Sequence, residues 1–222
     1  MDKLKIIKMM EYCGISYRND QPEDKDVKLT VINDKTTDIQ CYIRVKEDSA
    51  IITFRGSDSK KDFSTDLKFW KSVVPYKNYN SRIRVHAGFI STYKSKNVRG
   101  KIHQIICPSI KKVCVTGHSY GAALAILCAI DLEYNYPKKD YEVIVFGCPK
   151  VGNRAFRDSY NLRIFKTLRI ENRGDIVPKI PFSILGYRHV GCGLKIKKPG
   201  FYNPFSLKNH TLQEYYSAIW GV

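Results

Sequence analysis

The sequence predicts an α/β fold: a mostly parallel central sheet with helices covering both faces. Three observations predict it. Segments 112–116, 141–146 and 165–170 are short apolar runs, as strands buried on both faces are. Helix-patterned segments alternate with them, the order of a doubly covered parallel sheet. The 222 residues, 43% hydrophobic and 12% aromatic, suffice to bury about 70% of the chain's surface in one domain over 1–222, which excludes a disordered tail protein.

The elements follow in order. Residues 3–13 set Ile6, Met9, Met10 and Cys13 on one side at helical spacing. Residues 20–28 read as a polar loop. Segments 38–46 and 49–55, rich in Ile, Val, Thr, Tyr and Phe, read as two strands. Residues 60–70 carry Phe63, Leu67, Phe69 and Trp70 at near-helical spacing among charges, and 89–106 reads as one helix. Residues 119–131 are almost wholly apolar and predict a helix covered on all sides. The closing helix spans 211–219, with Thr211 and Glu214 at capping-box spacing. Prolines concentrate after residue 130, among them Pro178, Pro181, Pro199 and Pro204, so the second half carries ordered connections where sites sit.

The run Gly117-His118-Ser119-Tyr120-Gly121 is a G-x-S-x-G. By composition alone that pattern arises in roughly one chain in fifteen of this length. Its context is what carries weight: a β-branched strand precedes it and an Ala/Leu helix follows at once, the strand–turn–helix of a nucleophile elbow. A serine nucleophile needs a base and an orienting carboxylate, which in this arrangement follow it as acid, then histidine. Downstream stand two histidines, His189 and His210. His210, in a loop before the last helix, is assigned as base; His189, in an extended and partly apolar stretch, is the alternative and otherwise structural. Of Asp131, Asp140, Asp158 and Asp175, only Asp175 follows a buried strand at its carboxyl end, so it is assigned as the acid.

These residues resemble the class 3 (fungal-type) lipases of the α/β-hydrolase fold. The likeness rests on blocks in one order over about residues 50–216: Thr53-Phe54-Arg55-Gly56-Ser57; Val85-His86-Ala87-Gly88-Phe89; the elbow through Leu124; Phe146-Gly147-Cys148-Pro149-Lys150-Val151-Gly152-Asn153; Asn172-Arg173-Gly174-Asp175 with Val177-Pro178; Gly186-Tyr187-Arg188-His189; and His210 with Tyr215. The resemblance implies ester hydrolysis of lipids by Ser119, Asp175 and His210. It also implies an oxyanion hole from the Ser57 and Tyr120 backbone amides, and a lid at 58–68. Tyr120 stands where the family carries Leu, Ala122 where it carries Gly, and Lys150 where it carries Arg. Phospholipase, acyltransferase or silent lipid-binding activity are the alternatives on the same framework. This chemistry calls for no metal or cofactor.

Lys and Arg number 38 against 21 Asp and Glu, a net charge of +17. Such an excess suits a polyanionic partner. Basic residues are spread along the chain without a nucleic-acid motif, so nucleic acid is not expected. Lys60, Lys61, Lys68 and Lys71, with Lys195, Lys197 and Lys198, predict a basic rim suited to an anionic membrane. The charged start lacks a signal-peptide core, the longest apolar run is nine residues, and seven cysteines show no C-x-x-C pair. The expected setting is therefore intracellular, with reduced thiols.

Overall fold

The computed structural model describes residues 2–18, 20–22, 24–56, 71–73, 80–106, 108–196 and 207–220. Its main sheet orders β1 (Lys28–Asp34), β2 (Ile39–Lys46), β3 (Ser49–Phe54), β6 (Lys112–His118), β7 (Asp140–Phe146), β9 (Thr167–Asn172) and β11 (Cys192–Ile196) side by side. From β3 to β11 every pairing is parallel; β1 and β2 add antiparallel edges. The small strands β4 (Lys71–Val73), β5 (Arg84–His86), β8 (Gly152–Asn153) and β10 (Tyr187–Arg188) form a second, antiparallel sheet.

The two-residue period of a strand assigns its side chains to opposite faces. Val113 and Val115 of β6, with Val143 and Val145 of β7, enter the core beneath α2 (Ala87–Tyr93), α4 (Tyr120–Asn135) and α5 (Arg154–Arg163). Cys114, Ile144 and Phe146 point the other way, into a second core closed by α1 (Lys3–Ile15) and α6 (Leu212–Trp220). Helix α4 is buried on every side over its first three turns, as its apolar sequence predicts.

Two expectations are corrected. Lys28–Asp34, read partly as loop and otherwise passed over, is the edge strand β1; one side of it faces solvent, so its apolar signal is thin. Residues 89–106 do not form one helix. Helix α2 ends at Tyr93, Ser95 is extended, a π-helical turn spans Lys96–Gly100, and α3 covers Lys101–Ile105. The break is tertiary in origin: Asp34, at the end of β1, takes hydrogen bonds from the Ser95 hydroxyl and the Asn97 amide. The near-helical apolar spacing at 60–70 and the lid expected at 58–68 lie outside the described residues.

Candidate active site

Strand β6 runs directly into α4 through Ser119, whose φ of 59° and ψ of −125° place it in a region that L-residues avoid. A non-glycine there costs on the order of 1–3 kcal/mol, which the surrounding packing must offset. The flanking glycines make the turn possible. A Cβ on Gly121 would lie 2.4 Å from the Phe54 carbonyl oxygen, and one on Gly117 would lie 2.5 Å from Gly121 itself. The turn thus presses α4 against the end of β3 and projects Ser119 Oγ at the carboxyl edge of the sheet.

The structure brings Ser119, His210 and Asp175 together. Ser119 Oγ lies 2.6 Å from His210 Nε2, and His210 Nδ1 lies 2.7 Å from Asp175 Oδ2. The tautomer follows from the carboxylate. An ionised Asp175 only accepts, so Nδ1 carries the proton and Nε2 is the acceptor for the Ser119 hydroxyl. The Asp175 side chain is fully buried, and its Oδ1 accepts the Val177 amide at 2.8 Å. Lys150, buried where the family pattern has Arg, donates to the Lys179 and Pro181 carbonyls and pins the loop that follows Asp175.

Beneath His210 lies His118, stacked on it with ring centroids 4.6 Å apart. His118 Nε2 donates to the His210 carbonyl at 2.8 Å, which leaves Nδ1 to accept from the Tyr17 hydroxyl at 3.3 Å. Tyr17 in turn takes a backbone hydrogen bond from Gly56. Burial, and then the neighbouring His210, hold His118 neutral far below the ordinary histidine range. A continuous chain of hydrogen bonds therefore links the loop after β3 to the backbone of His210. Sequence reasoning set His118 aside as the elbow's neighbour and missed Tyr17, which carries no local signal.

Other candidates fall elsewhere. His189 Nε2 donates to the Pro178 carbonyl at 2.7 Å. Burial, helped by Arg169, lowers its pKa to about 3, which suits the structural histidine that the sequence makes of it once His210 is taken as base. Asp131 is bound by Arg99, His103 and Tyr93; Asp140 and Asp158 pair with surface cations. Tyr120 heads α4, where first-turn amides and the helix dipole favour an anion, and its side chain is fixed by Phe89 and Thr92. Ser57, the expected second oxyanion donor, lies outside the described residues. So do Lys60, Lys61, Lys68, Lys197 and Lys198 of the expected basic rim.

A family model described as lipase (class 3) matches residues 51–184. A lipase of Rhizomucor miehei is 33% identical over 153 residues, covering 65% of this chain and 41% of that protein. The chloroplastic phospholipase A(1) DAD1 of Arabidopsis thaliana is 31% identical over 162 residues, 65% of this chain and 36% of that protein. The chain therefore spans about two-fifths of the length of these curated relatives. Among solved structures, the Rhizomucor miehei triacylglyceride lipase matches with a TM-score of 0.74 at 26% identity, covering 87% of this chain and 79% of that one. A triacylglycerol lipase from Penicillium expansum matches with a TM-score of 0.75 at 19% identity, covering 88% and 81%.

Proposed function

The chain belongs to the class 3 lipase family, and from that premise we propose that it is a serine hydrolase, one hydrolase unit over residues 1–222, that cleaves carboxylic ester bonds of lipids. The single observation that carries this reading is the unbroken Ser119–His210–Asp175 hydrogen-bond line. His210 Nε2 takes the Ser119 proton as Oγ attacks the ester carbonyl, and Asp175 holds the imidazole in the tautomer that can accept it. The tetrahedral oxyanion rests on the Tyr120 amide, with the Ser57 amide as its partner donor. The imidazolium then protonates the departing alcohol. Water, deprotonated by His210, releases the acyl group.

The test is hydrolysis of a short-chain chromogenic ester by wild type and Ser119→Ala. The variant should lose at least about a thousandfold in kcat. Equal rates would sink the mechanism.

Two finer points belong to the same reading. Phospholipid is a second substrate class, supported by the similarity to phospholipase A(1) DAD1; head-to-head rates on triglyceride and phosphatidylcholine emulsions decide between them. Peripheral docking on an anionic lipid surface is supported by the +17 charge and by exposed Phe182, Ile184 and Leu185 beside Lys71, which bonds the Leu185 carbonyl. Vesicle binding indifferent to both salt and anionic lipid would count against that docking. None of the described helices is long and apolar enough to cross a membrane. An intracellular setting is supported by Cys13, Cys114 and Cys148, buried thiols pushed up to about 12 that serve as small core residues.

A further inference from the structure

His210 rides on a short helical turn, Leu207–His210, that leads into α6. Ser119 and Asp175 hold its ring, but its backbone must be placed by other groups. Side chains from the sheet grip two consecutive carbonyls of the turn. Asn172 Nδ2 donates to the Asn209 carbonyl at 3.0 Å, and His118 Nε2 donates to the His210 carbonyl at 2.8 Å. The His118 ring also stacks on the His210 ring at 4.6 Å and meets the Tyr215 ring edge-on at 5.8 Å. His118 therefore bears on both the backbone and the ring of the base.

It can do so in one tautomer only. Burial beside His210 keeps the His118 ring neutral, and a neutral imidazole has one donor and one acceptor. The His210 carbonyl needs the proton on Nε2. What keeps it there is the hydrogen bond made at the other nitrogen, and that bond comes from the Tyr17 hydroxyl at 3.3 Å. Tyr17 is held in its turn. Its amide donates to the Gly14 carbonyl at 3.2 Å, its hydroxyl oxygen accepts the Gly56 amide, and the Arg55 guanidinium lies 5.6 Å from its ring centre. The fit is close: a Cβ on Gly56 would lie 2.2 Å from the Tyr17 hydroxyl. From the Gly56 amide through Tyr17 and His118 to the His210 carbonyl, every donor points the same way, and bonds in such a line polarise one another.

We propose that Tyr17 and His118 are positioning residues: Tyr17 fixes the His118 tautomer, and His118 seats the backbone and ring of His210 against Ser119. Neither acts on the ester itself; both act through His210. The kinetic consequence rests on the proposed hydrolase function. The seating of His210 does not.

The test uses the full-length protein, with kcat and KM on a short-chain chromogenic ester and with proton NMR of the His210 Nδ1–H that bonds Asp175. Tyr17→Phe should lower kcat about tenfold with KM unchanged, and His118→Phe, which keeps a flat ring in the stack, about a hundredfold. The Tyr17→Phe/His118→Phe double variant should lose no more than His118→Phe alone, because the two residues lie on one line. His118→Gln, whose terminal amide can donate to the same carbonyl, should be at least about tenfold faster than His118→Phe. A purely structural role would lower the urea midpoints and leave kcat per folded molecule unchanged. That result overturns the proposal, as do losses that multiply in the double variant, or a Gln variant no faster than the Phe one. The His210 Nδ1–H resonance should shift or broaden in Tyr17→Phe, and an unmoved resonance overturns the seating whatever the kinetics show. If wild type hydrolyses no ester while that resonance still responds, the hydrolase reading falls and the seating stands.

Discussion

Tyr215 donates its hydroxyl to Asp175 Oδ2 at 2.7 Å, the same oxygen that lies 2.7 Å from His210 Nδ1. One carboxylate oxygen is thus held from two sides, and α6 is tied to the candidate site through a buried bond. Tyr215→Phe removes one donor from a buried anion, and should cost about 1.5–3 kcal/mol of stability, the worth of a hydrogen bond to a charged group. Asp175, less well fixed, should orient His210 less well. The expected kcat loss is roughly tenfold, about 1.4 kcal/mol of barrier, with KM unchanged. Denaturant titration and ester kinetics check the two parts separately. A stability loss with unchanged kcat would confine Tyr215 to a structural role.

Gly147 is the neighbour that leaves room for His210. Its φ is +56°, and a Cβ there would lie 2.8 Å from His210 Cε1, 3.0 Å from Nδ1 and 3.2 Å from Asp175 Oδ2. Gly147→Ala should therefore displace the imidazole, at a backbone cost of only roughly 1–2 kcal/mol for a left-handed alanine. Misplacement of a catalytic group by an ångström is worth on the order of a hundredfold in rate. We expect that loss in kcat together with a cooperative, slightly lowered thermal transition. Full activity in the variant would show that the loop gives way instead of the histidine.

Two members of the candidate triad carry local signals. Ser119 announces itself by a tight glycine-flanked turn between strand and helix, and Asp175 by its place just past a buried strand. His210 was found by elimination between two downstream histidines. The parallel, doubly covered centre of the sheet was legible for the same reason, since β6, β7 and β9 are buried on both faces and read as apolar runs. What escaped depends on contacts far apart in sequence. Tyr17 meets His118 across 101 positions, and Ser95 meets Asp34 across 61. Neither residue sits in a motif that marks it, and only the fold brings it to its partner. The break at Ser95 is therefore invisible to periodicity, which sees apolar spacing continue through it.

The network around Asp131 supplies a prediction about stability alone. Asp131 binds Arg99 through two nitrogens, along with His103 and Tyr93. Asp131→Asn leaves those donors facing a neutral amide. Removing one partner of a fully buried pair costs about 3–5 kcal/mol; the Arg99 side chain is 36% exposed, so water can take over part of its charge and about 2–3 kcal/mol is expected. The urea midpoint should fall accordingly, while kcat on a short-chain ester stays within about twofold, because the network lies at the far end of α4. A large kcat loss in folded protein would mean that the two ends of α4 are coupled.

Acid should unfold this protein through its histidines. His86 is lowered to about 4 by burial, and His189 to about 3 by burial and then Arg169. His118 is held far below its ordinary value. All three are neutral when folded, whereas the unfolded chain protonates each near pH 6.5. Unfolding thus takes up protons below that pH, so stability is full above about pH 6.5 and declines as the pH falls toward the folded values, levelling off beneath them. Each such histidine contributes a slope of about 1.4 kcal/mol per pH unit within its window. Urea midpoints between pH 7 and pH 4.5 should drop steeply. His189→Gln, which keeps a donor for the Pro178 carbonyl, should lower the midpoint at pH 7 yet flatten the acid slope by about one proton's worth. A slope left unchanged in that variant would mean that His189 is already protonated in the fold, against the burial and the neighbouring Arg169 that keep it neutral.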